Sequence, residues 1–238
     1  KLEAIREREE AFIHRAIQRW ERNPSIEILG SHSLPRLSIL SFVVRHGGRY
    51  LHHNFVVAVL SDLFGIQSRG GCSCAGPYGH RLLGIDVERS HEFEREISRG
   101  CEGIKPGWVR VNFNYFISDA VFDYILDAVE LVASDGWKLL PHYRFDDATG
   151  LWRHRQAPPE PPMSLRDIHY EGGRMTTATH RRRRAPESAF ATYLDEARRL
   201  LGARSLQLVE AGTAEGGHSA DFEALRWFWL PEEAVTSW

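Results

Sequence analysis

Apolar residues recur at helical spacing from the first turn of the chain. Leu2, Ile5, Phe12, Ile13, Ala16, Ile17 and Trp20 share one stripe and charges fill the opposite face, which predicts a helix over KLEAIREREEAFIHRAIQRW. Asn23-Pro24 ends it, because proline disfavours a helical residue before it. RLSILSFVV, 36–44, is β-branched and apolar on both faces, the pattern of a strand covered on both sides. HHNFVVAVLSDLFG returns to helical spacing, with Phe55, Val56, Val59, Leu60, Leu63 and Phe64 on one stripe, His52 and His53 at its start and Gly65 as its stop. IQSR, 66–69, reads as a short strand and HEFEREISR, 91–99, as a charged surface helix. WVRVNFNYF, 108–116, alternates: Val109, Val111, Phe113 and Tyr115 form one face, and Arg110, Asn112 and Asn114 the other. Ser118 then caps a helix to about Ser134, with Ala120, Val121, Tyr124, Ile125, Ala128, Val129 and Val132 inward and Gly136 as its stop.

The character changes after Pro141. RQAPPEPPMS, 155–164, is a proline-rich connector and HRRRR, 180–184, a charge run. PESAFATYLDEARRLLG, 186–202, predicts a helix, and SLQLVE and ALRWFWL predict strands, the latter packing Trp227, Phe228 and Trp229 on the chain's own core. The order of elements predicts an α/β or α+β sandwich over 1–140, opened by a joining helix at 1–22, and an extension over 141–238.

Composition narrows the function classes. A chain of 238 residues with 42% apolar content can bury a sizeable core. A net charge of −2 gives no global field toward nucleic acid or an anionic membrane, so neither is expected as a partner. The longest apolar run, FVVAVL, is far too short to span a bilayer. Three cysteines in a chain of this length suggest a reducing compartment, so a cytoplasmic protein is expected. The first helix opens at Lys1 without a cap, which suggests a piece of a longer parent.

The chemistry concentrates in SRGGCSCAGPYGH, 68–80. Cys72 and Cys74 are too close for an unstrained disulfide. As zinc ligands they have Cys-x-Cys spacing and need His80 and Cys101 to complete a set, which would make the protein a non-catalytic zinc-binding or interaction module. As a reactive loop, Arg69 and the amides of Gly70 and Gly71 favour a thiolate, and the glycines give it mobility. Arg110, mid-strand beside Asn112 and Asn114, has the planar fork that grips a carboxylate bidentately.

Taken in order, RLSILSFVV, HNFVVAVLSDLFGI, R-G-G-C-S-C-A-G-P at 69–77 and WVRVNFNYFIS resemble the small C-terminal domain of the cysteine desulfurase and selenocysteine lyase group, within the class V aminotransferase family of pyridoxal-phosphate (PLP) enzymes. The resemblance covers about residues 1–140, with 79–107 as an insertion between loop and strand. It implies the small domain of a fold-type-I PLP enzyme that acts on an amino acid. Cys74 takes the position of the mobile cysteine that receives sulfur, Arg110 that of the arginine that binds the substrate carboxylate, and Arg69 lines the same site; Asn112, on the strand face of Arg110, is expected to join in binding the substrate. Within the same family, an aminotransferase would give the thiol no role. The lysines are Lys1, Lys105 and Lys138, and none has the family's Schiff-base context. The resemblance therefore implies that the cofactor domain precedes Lys1, that the parent is a homodimer and that this chain alone is inactive and binds no PLP.

Overall fold

The computed structural model describes residues 2–72, 76–157, 165–177, 185–202 and 219–233. It is a mixed α+β fold built on one antiparallel sheet. Helix α1 (Leu2–Trp20) leads to strand β1 (Ile26–Ile28), then β2 (Ile39–His46) and β3 (Arg49–Leu51). Helix α2 (His53–Phe64) precedes β4 (Arg69–Gly71). Helices α3 (Gly76–Leu83) and α4 (Val87–Ser98) lead to β5 (Trp108–Asn112), followed by helix α5 (Asp119–Asp135). The sheet order is β1-β2-β5-β4, with β3 also paired to β2, and every pairing is antiparallel.

The two faces of the sheet differ as the alternation requires. Leu40, Phe42 and Val44 of β2 and Val109 and Val111 of β5 point into the core, where α1, α2 and α5 cover them. Trp20, fully buried at the end of α1, packs against Phe42 at 5.1 Å and Phe113 at 6.2 Å between ring centroids. Phe12 stacks on Phe122 of α5 at 4.4 Å. Outside this apolar seam, Arg15 bridges Asp119 and Asp123, each at 2.8 Å, and Arg19 bridges Asp127 and Glu130. The first turn of α1 projects beyond the core, and Leu2 is 84% exposed.

The expected inward stripe of α5 needs correction. Ala120 is exposed, whereas Phe122 and Leu126, absent from that stripe, are buried. The helix has two covered sides: α1 lies on one, and α2 with helix α6 (Phe190–Gly202) on the other, where Phe190 stacks on Tyr124 at 4.4 Å. Ser118 caps it as expected, its hydroxyl accepting from the amide of Val121 at 3.1 Å.

Other boundaries shift for local reasons. Gly65 caps α2 in the left-handed conformation, and Ile66 closes the turn back onto Leu60, so β4 starts at Arg69 rather than at residue 66. Strand β5 ends at Asn112, paired with Ile39, the first residue of β2. Phe113 still docks through Ser38, and the chain then turns away and leaves Tyr115 exposed. The segment ALRWFWL starts in a helix: α7 (Ala220–Leu225) gives way at Arg226 to an extended strap, 226–230, held to β3 by a single parallel bridge between Phe228 and Tyr50. SLQLVE and HRRRR lie outside the described residues.

Residues on both sides of position 140 share one core. Tyr143 of β6 (Tyr143–Asp146) and Trp152 of β7 (Leu151–His154) are buried against Phe55 of α2. Leu194, Ala197, Leu201, Phe222 and Phe228 join the same cluster. A separate hairpin of β8 (Ile168–Glu171) and β9 (Arg174–Thr177) stands apart on the surface. Among the described residues no helix is long and apolar enough to cross a membrane.

Candidate functional site

Opposite the core, the outer face of the sheet carries every polar residue that β5 presents. Arg110 sits mid-strand between Ser41 of β2 and Arg69 of β4 and pairs in register with both. Residues opposed across an antiparallel ladder project to the same side, so the two guanidinium groups share one face. Asn112 lies two residues along on that face, its side-chain amide donating to Asn114 Oδ1 at 3.1 Å. Neither Arg69 nor Arg110 makes a hydrogen bond or ion pair with any described residue. Two arginines on one face beside a serine and an asparagine bring together the donor groups that carboxylate recognition uses.

The other end of the same face is closed. Leu29, Val43 and Trp108 form a small apolar cluster there, covered by Leu82 and Leu83 of α3. The segment 79–107 therefore lies over the Trp108 end of the sheet and leaves the arginine end open.

Cys72 follows Gly71, whose register partner is Trp108. It is an exposed free thiol lining a pocket of about 320 Å³ with His80, Lys105 and Trp108. Cys74, the expected nucleophile, lies outside the described residues. The glycines before it answer a local packing and backbone need. A Cβ on Gly70 would stand 2.5 Å from Asn54 Oδ1 and 3.1 Å from Val57 Cγ2, so glycine is needed for close approach to α2. Gly71 adopts φ +108°, which a side chain would strain.

The zinc set is not assembled among the described residues, where no three His, Cys, Asp or Glu side chains are grouped to hold a metal ion. Cys101, which that set needs, packs against the main core. Burial first, and then the nearby Asp147 and Glu96, push its thiol up to about 11, away from the thiolate that binds metal. The described lysines do not fit a PLP linkage. Lys105 is paired with Glu102 at 3.3 Å, and Lys138 with Asp135 at 2.6 Å and the Leu201 carbonyl at 3.1 Å. Lys1 lies outside the described residues.

His52 and His53 prove to be more than a helix start. His52 caps α2, its Nδ1 accepting from the Asn54 amide at 3.1 Å while Nε2 donates to the Gly103 carbonyl at 3.1 Å. It is buried between Trp227, stacked at 5.4 Å, and Phe228 at 4.5 Å. Burial holds both imidazoles neutral: His52 is lowered well below its usual value and His53 to about 4. These are structural histidines, and their cage of distant aromatics has no local sequence signal.

No protein-family model matches this sequence, and no curated protein matches it.

Proposed function

We propose that the chain is the small domain of a fold-type-I PLP enzyme acting on an amino acid, of the cysteine desulfurase and selenocysteine lyase kind. The observation that carries this reading is the in-register pairing of Arg69 and Arg110 on an open sheet face, without partners among the described residues. In this reading Arg110 binds the substrate carboxylate bidentately, and Arg69 and Asn112 hold its orientation. The Cys74 thiolate takes the sulfur atom from the substrate and becomes a persulfide. The substrate carbon keeps the electron pair of the broken carbon–sulfur bond and gains a proton, leaving alanine. PLP, when bound, supplies the electron sink for that carbon and is held by groups other than the described lysines. The antiparallel α+β fold and the cysteine loop beside β4 support the same reading.

The test is made on the full-length gene product supplied with PLP, L-cysteine and a reductant. Equimolar sulfide and alanine, lost in Cys74→Ser and strongly reduced in Arg110→Ala, is the expected result. An enzyme that binds PLP and exchanges amino groups with keto acids, indifferent to Cys74→Ser, makes it an aminotransferase instead. Absence of PLP binding removes the family reading and leaves an anion-binding face.

A further inference from the structure

The segment 79–107 and the strap 226–230 are the two parts of the outer layer that the family resemblance does not cover, and together they border a half-open cavity of about 340 Å³. That volume is in the range of small-molecule sites. Its walls include Tyr50 of β3, Leu83 of α3, Phe93 of α4 and Trp227 of the strap. These walls are fixed. Tyr50 and Trp229 exchange a backbone bond of 3.1 Å, Tyr50 and Trp227 another of 3.2 Å, and Trp227 Nε1 donates to the Ile104 carbonyl at 3.0 Å.

Asp86 and Arg89, one turn apart at the start of α4, bring one negative and one positive charge to this otherwise apolar lining. Asp86 accepts one bond, from the Arg89 amide at 2.8 Å, which leaves its second oxygen available. The Arg89 guanidinium donates to the Ala224 carbonyl at 2.9 Å and to Glu92 at 3.3 Å, two of its five N–H groups. Asp86 is exposed and Arg89 is half-exposed and already paired with Glu92, so both groups are open to solvent and a ligand with a single charge engages only one of them. A ligand carrying both charges on one carbon, with an apolar body, satisfies both and fills the aromatic wall.

We infer that this cavity binds a free α-amino acid with an aromatic or branched apolar side chain, its ammonium group on Asp86 and its carboxylate on Arg89. The site is separate from the Arg69–Arg110 face and requires no cofactor, so it stands or falls independently of the proposed reaction.

Calorimetric titration of the purified chain, without PLP, with L-phenylalanine, L-tryptophan and L-leucine tests it. The expected result is saturable one-to-one binding of at least one of them. N-acetyl-L-phenylalanine and L-phenylalaninamide, each lacking one charge, should bind about tenfold more weakly or worse. Asp86→Asn keeps a good helix cap while removing the charge, and should cost a similar factor. Leu83→Trp fills the cavity and should abolish binding. Should that variant fail to fold, Asp86→Asn and the blocked ligands still decide the matter. No saturable heat with any of the three amino acids overturns the inference. So does equal affinity for the free and blocked forms, or binding unchanged in a folded Leu83→Trp protein.

Discussion

Arg69 and Arg110 stand opposite one another across β4 and β5, two like charges in register on one face of a sheet. Such a pair is destabilising by roughly 0.2–1 kcal/mol in the absence of a counter-charge. An anion bound between them reverses the sign. Arg69→Gln is therefore expected to raise the anion-free melting temperature slightly and to remove the stabilisation that acetate or sulfate gives the native chain. Melting curves at constant low ionic strength, with the anion exchanged for chloride, measure this, because the Debye length shrinks to about 10 Å at 0.1 M salt and exposed-charge effects weaken with it. A variant that melts lower than the native chain and responds equally to the anions would show that the arginines do not act as a pair.

Gly70 separates the reading of the cysteine loop as mobile from its reading as docked. A methyl group there collides with Asn54 and Val57, whereas one on Gly76 meets nothing within 4 Å. Gly70→Ala should cost about 1–3 kcal/mol in urea unfolding, the usual range for overpacking. Gly76→Ala should lie within about 0.5 kcal/mol of the native chain. Equal stabilities for the two variants would mean that β4 stands free of α2.

Much of this fold is legible from periodicity, and its misses have a common cause. The stripe of α2, the alternation of β5 as far as Phe113 and the serine cap of α5 depend on neighbours a few residues away, and to that extent lie as the pattern implies. Phe122 escapes it because α5 is covered from two sides, and a single helical stripe cannot describe a helix with two buried faces. Trp227 and His52 are 175 positions apart in the chain and stacked in space, a pairing that no local spacing encodes. The same holds for the candidate site. Each arginine stands out on its own strand, but their register requires the strand order β2-β5-β4. Asp86 and Arg89 read as an ordinary helix start, and the aromatic wall beside them comes from β3 and the far end of the chain.

The buried histidines give the fold an acid limit. Both have folded values below the unfolded value near 6.5, so the unfolded chain binds protons that the folded chain excludes. Stability is therefore complete above pH 6.5 and declines as pH falls through the window from 6.5 to about 4. For His53 that loss amounts to about 3 kcal/mol. His53→Gln should flatten the pH dependence of the urea midpoint across this window. A midpoint that stays constant between pH 7 and pH 4.5 in the native chain would exclude a buried neutral pair.

Arg226 anchors the strap that covers these histidines. Its guanidinium is almost fully buried and donates to the Phe228 carbonyl at 2.7 Å, to Glu223 at 2.7 Å and to Glu233 at 2.7 Å and 2.8 Å. Removing one partner from a buried network costs more than the network contributes, because it strands the remaining charge. Arg226→Met takes away the cation that Glu233 shares with Arg49, at 3.1 Å, and with the Leu230 amide, at 2.8 Å, and should destabilise by about 3 kcal/mol. Glu233→Gln leaves Arg226 with Glu223 and should cost about 1–2 kcal/mol. The double variant should cost less than the sum, since both changes dismantle one network. Loosening the strap also admits water to His52, so the acid-sensitive window of Arg226→Met should be shallower than that of the native chain. Urea unfolding of the three variants at pH 7 and pH 5 reads all of these effects. Strict additivity, with an unchanged pH dependence, would mean that the strap holds to β3 by its aromatic side chains and not through this ion cluster.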